Sequence, residues 1–217
     1  MPPECASVVD VALQPRPIAR AETRLGAGTE LWHVGYADSP FATYDRRVDR
    51  DFRFSPLCRD DIVLGTVYLG ETKEVSIAET LWRQLPLRDA RLPLDRVQNR
   101  TIGTVRTARE LVLVELHDPG LRMIGLRPEQ LTQTPASCYS RTRAYGTALL
   151  QDHPDVDGFV WMSRHFNSRR SFMLIETQDV QFVPQIHASF TDPEERDDLI
   201  RICERAGIAA TLACAHI

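Results

Sequence analysis

The stretch that decides the fold is Asp61–Trp82, DIVLGTVYLGETKEVSIAETLW. Its first part, Asp61–Leu69, is rich in β-branched and aromatic residues and reads as a strand. Tyr68 there shares a face with Ile62, Leu64 and Thr66. Thr72 then offers an oxygen to the open N–H groups of a helix, and Glu74 sits in the first turn, where the helix dipole favours an acid. The helix is expected to run to about Leu85 and to stop at Pro86, which has no N–H to continue it.

Toward the C-terminus, Glu110–Leu116 and Leu121–Leu126 read as two strands joined by the turn His117-Asp118-Pro119-Gly120. Tyr139–Gln151 reads as a helix with Tyr145, Ala148 and Leu149 on one side. Asp157-Gly158 turns into a short apolar strand, Phe159–Ser163. The basic loop RHFNSRR leads to another strand, Ser171–Glu176. A last helix starts at Asp192, with Pro193 at its first position and Glu195 completing a capping box. Leu199, Ile202, Cys203 and Ala206 form its apolar stripe, and Gly207 ends it.

Toward the N-terminus, Leu31–Tyr36 reads as a strand, followed by the arginine-bearing loop Tyr44–Pro56. Residues 1–28 read as an extension, broken by Pro2, Pro3, Pro15 and Pro17, in which Val8–Leu13 forms a short element on the core. The expected organisation is this extension followed by one domain, 29–217. Strands outnumber helices and are scattered among them, so the expected fold class is α+β.

Bulk composition narrows the function classes. The chain has 217 residues, with 43% hydrophobic and 26% charged, the usage of an ordinary globular domain. A net charge of −4 argues against non-specific nucleic-acid binding, which needs many cations to meet phosphates. No apolar run is long enough to span a membrane, and no secretory leader is legible. Cys5, Cys58, Cys138, Cys203 and Cys214 are scattered with no C-x-x-C spacing, so they read as free thiols in a reducing cytoplasm. The histidines show no metal-ligand spacing, so no metal is expected. Glycine signatures of Rossmann and P-loop folds, H-E-x-x-H and G-x-S-x-G are all missing.

Several residues are candidates for chemistry. With Val75 at 0° on a helical wheel, Ala78, Glu79 and Trp82 fall at about −60°, +40° and −20°. Glu79 therefore lies on an apolar face, as an edge glutamate bonded to water or an arginine, or as a working carboxylate. Arg46, Arg47, Arg50 and Arg53 form a basic loop cluster suited to a pyrophosphate, although Asp45, Asp49 and Asp51 are interleaved and also fit a solvated loop. Ser163 ends an apolar strand at the mouth of a basic loop, where a hydroxyl serves a site or bonds its own backbone. Tyr68 fits a core position or a stacking platform. His165, in the basic loop, reads as exposed or as meeting an anion.

Three segments, taken in order, resemble the RES-domain family: RFSP (Arg53–Pro56), VYLGETKEVSIAET (Val67–Thr80) and HPDVDGFVWMSR (His153–Arg164). With LWHV (Leu31–Val34) at the start they span roughly residues 29 to 190. The resemblance implies a single α+β domain similar to the ADP-ribosyltransferase fold, with mixed and antiparallel sheets and flanking helices. It implies a bacterial toxin that consumes NAD as substrate, by hydrolysis or phosphorolysis of the nicotinamide–ribose bond, or that transfers ADP-ribose to a protein. It places Glu79 and Ser163 as catalytic residues and Arg53, Tyr68 and His33 in the NAD pocket. The family has an arginine where this chain has His33. Histidine is shorter and only partly charged near neutral pH, so a weakened NAD- or antitoxin-binding module is the alternative, with Arg46 or Arg47 as substitutes for the lost cation. The expected partners are NAD, an Xre-like antitoxin and a second copy of the chain as a homodimer, with no direct nucleic-acid contact and no membrane, in the cytoplasm.

Overall fold

A curled eight-stranded sheet organises the chain. The structure, a computed structural model, describes residues 5, 7–49, 51–83 and 85–210. In chain order the elements are β1 (Glu22–Leu25), β2 (Glu30–Tyr36), β3 (Leu57–Arg59), β4 (Ile62–Leu64), β5 (Thr66–Gly70), α1 (Lys73–Leu81), β6 (Arg91–Leu92), β7 (Arg100–Thr107) and β8 (Leu111–Glu115). They continue with α2 (Gly120–Met123), α3 (Tyr139–Asp152), β9 (Gly158–Met162), β10 (Arg170–Ile175), β11 (Phe182–Ser189), α4 (Pro193–Arg205) and β12 (Ala209–Ala210). The main sheet runs β1-β8-β9-β10-β5-β2-β7-β11, with β8–β9 as its parallel pair and antiparallel neighbours elsewhere. The α+β class and the mixed sheet with flanking helices expected from the sequence are what the structure has.

Leu25 of β1 and Phe182 of β11 stand at opposite edges of this sheet, yet they pack in one cluster with Leu31, Val67, Val105 and Phe172. The two edges meet only if the sheet curls around that cluster. On the other face, α3 packs through Tyr145, Ala148 and Leu149 against Phe54, Phe159 and Trp161. Beside it, α1 and α4 pack through Ile77, Leu81, Leu199 and Ile202. The residues before β2, expected as an extension, place Val8, Val9 and Ile18 in the α3 cluster and add β1 to the sheet edge.

Several local expectations are corrected. The strand expected over Asp61–Leu69 is two strands, split at Gly65. A Cβ there would lie 2.8 Å from Tyr44 Cβ and would also displace the Glu176 carboxylate, so glycine lets the chain pass that close. β4 pairs back on β3, while β5 enters the main sheet between β10 and β2. Helix α1 begins at the expected Thr72, whose hydroxyl accepts from the Val75 N–H, but it ends at Leu81 rather than Leu85. Arg96 takes over the exposed carbonyls, donating to Arg83 O at 2.8 Å and Leu81 O at 3.4 Å.

Leu121–Leu126 is not a strand but holds the short helix α2, in which the N–H of Leu121 bonds His117 O at 2.9 Å. The capping box of α4 does not form. Asp192 makes no side-chain cap and instead accepts from the Ser189 N–H at 2.9 Å, while Glu195 pairs with Lys73 at 2.6 Å.

The free-thiol reading is also corrected. Cys5 and Cys138 form a disulfide, leaving Cys58 and Cys203 as free thiols among the described residues. The pairing is set by tertiary contact across 133 positions, which spacing cannot show, and it removes the thiol argument for a reducing compartment. Cys214 and His216 lie outside the described residues. Among the described residues no helix is long and apolar enough to cross a membrane.

Candidate functional site

Against β2, β5 and α1 the structure opens a cavity of about 480 Å³, within the range of small-molecule sites. His33, Arg53, Tyr68 and Glu79 all line it, brought together from a strand, a loop, a second strand and a helix. Ser163 is not on the wall; it is fully buried directly behind Glu79.

Glu79 reaches the cavity because α1 buries Val75, Ile77, Ala78 and Leu81, which orients the helix and leaves Glu79 at the border of the apolar face. Ser163, just past β9, donates a hydrogen bond of 2.6 Å to Glu79 Oε1. The hydroxyl oxygen in turn accepts from the His165 N–H at 3.2 Å. Strand β9 and helix α1 are thus tied through the Ser163–Glu79 hydrogen bond. Ser163 holds the carboxylate rather than facing the cavity.

Arg53 is 7% exposed, and its guanidinium is cradled by neutral oxygens. It donates to Thr134 Oγ1 at 2.8 Å, Thr134 O at 3.1 Å and Leu131 O at 3.4 Å. Its charge also lies 5.0 Å from the centre of the Tyr139 ring. The buried side chain of Phe54 fixes the loop, and the Arg53 carbonyl accepts from the Thr142 hydroxyl. Burial pushes the Arg53 pKa down, opposed by Tyr139 and Glu79. A guanidinium keeps its charge through such a shift.

Tyr68 presents its ring beside Phe52 at 5.5 Å and Trp161 at 6.1 Å, and its hydroxyl accepts from the Phe54 N–H at 3.3 Å. Burial holds the phenol pKa far above its usual value, opposed by that hydrogen bond and by the charges of Arg83 and Arg53. The ring is therefore a neutral platform.

His33 donates its Nδ1–H to the Tyr68 carbonyl at 2.9 Å. Burial lowers its pKa; the Tyr68 carbonyl opposes this and the Arg100 charge adds to it. His33 is thus neutral at pH 7 and does not replace an arginine's charge.

The loop arginines divide. Arg46 pairs with Glu176 at 2.8 Å and Arg47 with Asp45 at 2.6 Å, so both spend their charge on acids at the cavity rim. Arg50 lies outside the described residues. His165, expected as an exposed loop histidine or an anion contact, is half-buried, lines the cavity and sits 5.9 Å from the Trp82 ring.

Sequence reading missed Arg83, Arg100, Tyr139 and Trp161 on the cavity wall. Arg83 had a signal, since it stands four positions after Glu79, the spacing that shares a helix face. Arg100 had none, because β7 was not expected as a strand. Among the described residues no three His, Cys, Asp or Glu side chains gather as a metal-binding group. A carboxylate held by a hydroxyl, with guanidinium groups and aromatic rings on one wall, suits an anionic substrate that carries a flat ring.

The family profile described as RES domain matches residues 29–195. The structure is similar to the crystal structure of the M. tuberculosis MbcT–MbcA toxin–antitoxin complex, with a TM-score of 0.59 and 13% identity over 80% of this chain and 90% of that one. At that identity the likeness shows a shared fold. A comparison with curated proteins finds no match. With the family profile covering most of its length, the chain belongs to the RES-domain family.

Proposed function

We propose that this chain is the toxin of a toxin–antitoxin pair and consumes NAD by breaking its nicotinamide–ribose bond. The observation that carries the reading is Glu79 on the cavity wall, held by Ser163 and accompanied by Arg53 and Tyr68. Cleavage sends the C–N bond electrons to the nicotinamide nitrogen and leaves positive charge on the ribose. Glu79 stabilises that charge as it develops, and its fixed position removes the cost of reorienting a free carboxylate. Arg53 holds the diphosphate, Tyr68 stacks on the nicotinamide or ribose, and His33 lines the pocket as a neutral donor-bound ring. Water adds at the ribose carbon and releases its proton to solvent; phosphate or a protein side chain takes the place of water in phosphorolysis or ADP-ribosyl transfer. The partner is an antitoxin, in keeping with the complex that the fold resembles, and the site of action is the cytoplasm, where NAD is available.

The test is release of nicotinamide from NAD, with and without phosphate, by wild type and Glu79→Gln. Release by wild type alone supports the reading, and phosphate dependence selects phosphorolysis. Labelled NAD with a protein extract separates transfer, which labels a band, from hydrolysis. The neutral, carbonyl-bound state of His33 favours one second reading, a module that binds NAD or an antitoxin without turnover. NAD binding with no release would select it.

A further inference from the structure

Arg83 stands just beyond α1, and its place is fixed from both ends. Its carbonyl accepts from Arg96 at 2.8 Å, and its own guanidinium donates to the Asp51 carbonyl at 2.5 Å. The guanidinium lies over Phe52 at 4.7 Å and 5.2 Å from the centre of the Tyr139 ring. Arg53 lies 5.0 Å from the centre of that same ring. Two cations are thus gathered about one aromatic ring on one cavity wall.

Neither has a carboxylate bonded to it among the described residues. Arg53 donates to carbonyls and hydroxyls, and Arg83 to a carbonyl. The Asp51 carboxylate is turned to Arg143 at 2.8 Å, and Glu79 Oε1 is taken by Ser163. Like charges in a partly dry cavity repel, and an anion between them relieves the repulsion. Half-buried arginines such as Arg109, with Asp157 at 2.5 Å, and Arg170, with Glu71 at 2.9 Å, are paired with a carboxylate. Arg53 and Arg83 carry their charge into the cavity with no such carboxylate.

We infer that Arg83 and Arg53, set about Tyr139, form a two-guanidinium clamp for a diphosphate, so that the second phosphate contact of the pocket comes from the turn that follows the Glu79 helix rather than from position 33. The clamp's assignment to a dinucleotide rests on the NAD reading above; its assignment to a diphosphate does not. Planar guanidinium forks match the paired oxygens of phosphates, which a lysine ammonium does not reproduce. Arg83 follows the end of the Glu79 helix and is held there by Arg96 and the Asp51 carbonyl, which fixes the spacing between the anchored diphosphate and the reacting bond.

The test titrates inorganic pyrophosphate into wild type, Arg83→Gln, Arg83→Lys and the exposed control Arg122→Gln by calorimetry, with circular dichroism to confirm folding. It then compares KM and kcat for NAD and for nicotinamide riboside, which has no diphosphate. Expected are pyrophosphate binding by wild type and Arg122→Gln, a loss of about 10-fold or more in Arg83→Gln, and partial retention in Arg83→Lys, which keeps the charge and the stem if the Gln variant misfolds. KM for NAD rises by a similar factor in Arg83→Gln, with kcat changed less and riboside turnover unchanged. Failure of wild type to bind pyrophosphate, or equal binding by a folded Arg83→Gln, overturns the clamp. Arg83-dependent pyrophosphate binding without NAD cleavage keeps the clamp and removes the NAD reading. NAD cleavage with a KM indifferent to Arg83 does the reverse.

Discussion

Ser163 and Glu79 are 84 positions apart in the chain, yet the serine hydroxyl donates to the glutamate carboxylate at 2.6 Å and shields one of its oxygens from rotation. The serine has no exposed surface, so its influence on a substrate passes through Glu79.

Replacing Ser163 by alanine should therefore act on turnover rather than on binding. The carboxylate loses a donor and its fixed rotamer, and kcat for nicotinamide release should fall on the order of 100-fold, the scale of removing one preorganised donor. KM should stay within about 3-fold, because the removed group does not line the cavity. A kcat equal to wild type would rule out the positioning role.

Acid should destabilise the protein through two half-buried histidines, His33 and His165. Burial lowers the folded-state pKa of His33, with Arg100 adding to the shift, and burial also lowers that of His165. The unfolded chain then binds protons more readily. The contribution to stability is complete above the unfolded value of about 6.5 and is lost as pH falls through the window beneath it. Urea unfolding at pH 7.5 and 5.5 should show wild type weaker at the lower pH and His33→Gln less affected. An identical pH dependence in the two proteins would contradict the assignment.

Gly158 should tolerate no side chain. A Cβ there would lie 2.1 Å from the Met173 carbonyl oxygen and 3.0 Å from Leu174 Cα, in the pairing of β9 with β10. Backbone, not a flexible side chain, has to move. Gly158→Ala should cost about 2 kcal/mol or more in chemical denaturation. A wild-type midpoint would show that the two strands can separate without cost.

The bridge between Cys5 and Cys138 closes a separation of 133 residues and ties the N-terminal segment to the start of α3. Closing a loop of that size restricts the unfolded chain by up to roughly 5 kcal/mol in the chain-entropy account. A thiol reductant should lower the melting temperature of wild type, and Cys5→Ser should melt at the reduced value whether or not reductant is present. Equal melting of oxidised and reduced wild type would remove the bridge from the stability of the fold.

Local signals were legible where one residue type answers a local need. Thr72 caps α1 through its hydroxyl, as its position before an apolar-periodic run implied. Asp157-Gly158 leads into β9, and the apolar stripe of α3 is the one that periodicity marked. The strand at Arg100–Thr107 was not legible, because RTIGTVRT carries glycine and arginine inside it and is stabilised by two long neighbours rather than by its own propensity. Leu121–Leu126 misled because an apolar run of that length fits either element.

By itself, the sequence determined the α+β class, the strand-to-helix unit that carries Tyr68 and Glu79, and the placing of Glu79 at the edge of an apolar face. Those follow from periodicity and capping, which act over a few residues. The tertiary structure decided that Ser163 faces Glu79 rather than the cavity, that Cys5 meets Cys138, that Arg46 and Arg47 are spent on acids, and that Arg83 and Arg53 share one ring. Each of these joins side chains from separate elements. Such contacts are set by the curl of the sheet and by which buried charges find a partner, and neither is written in local spacing.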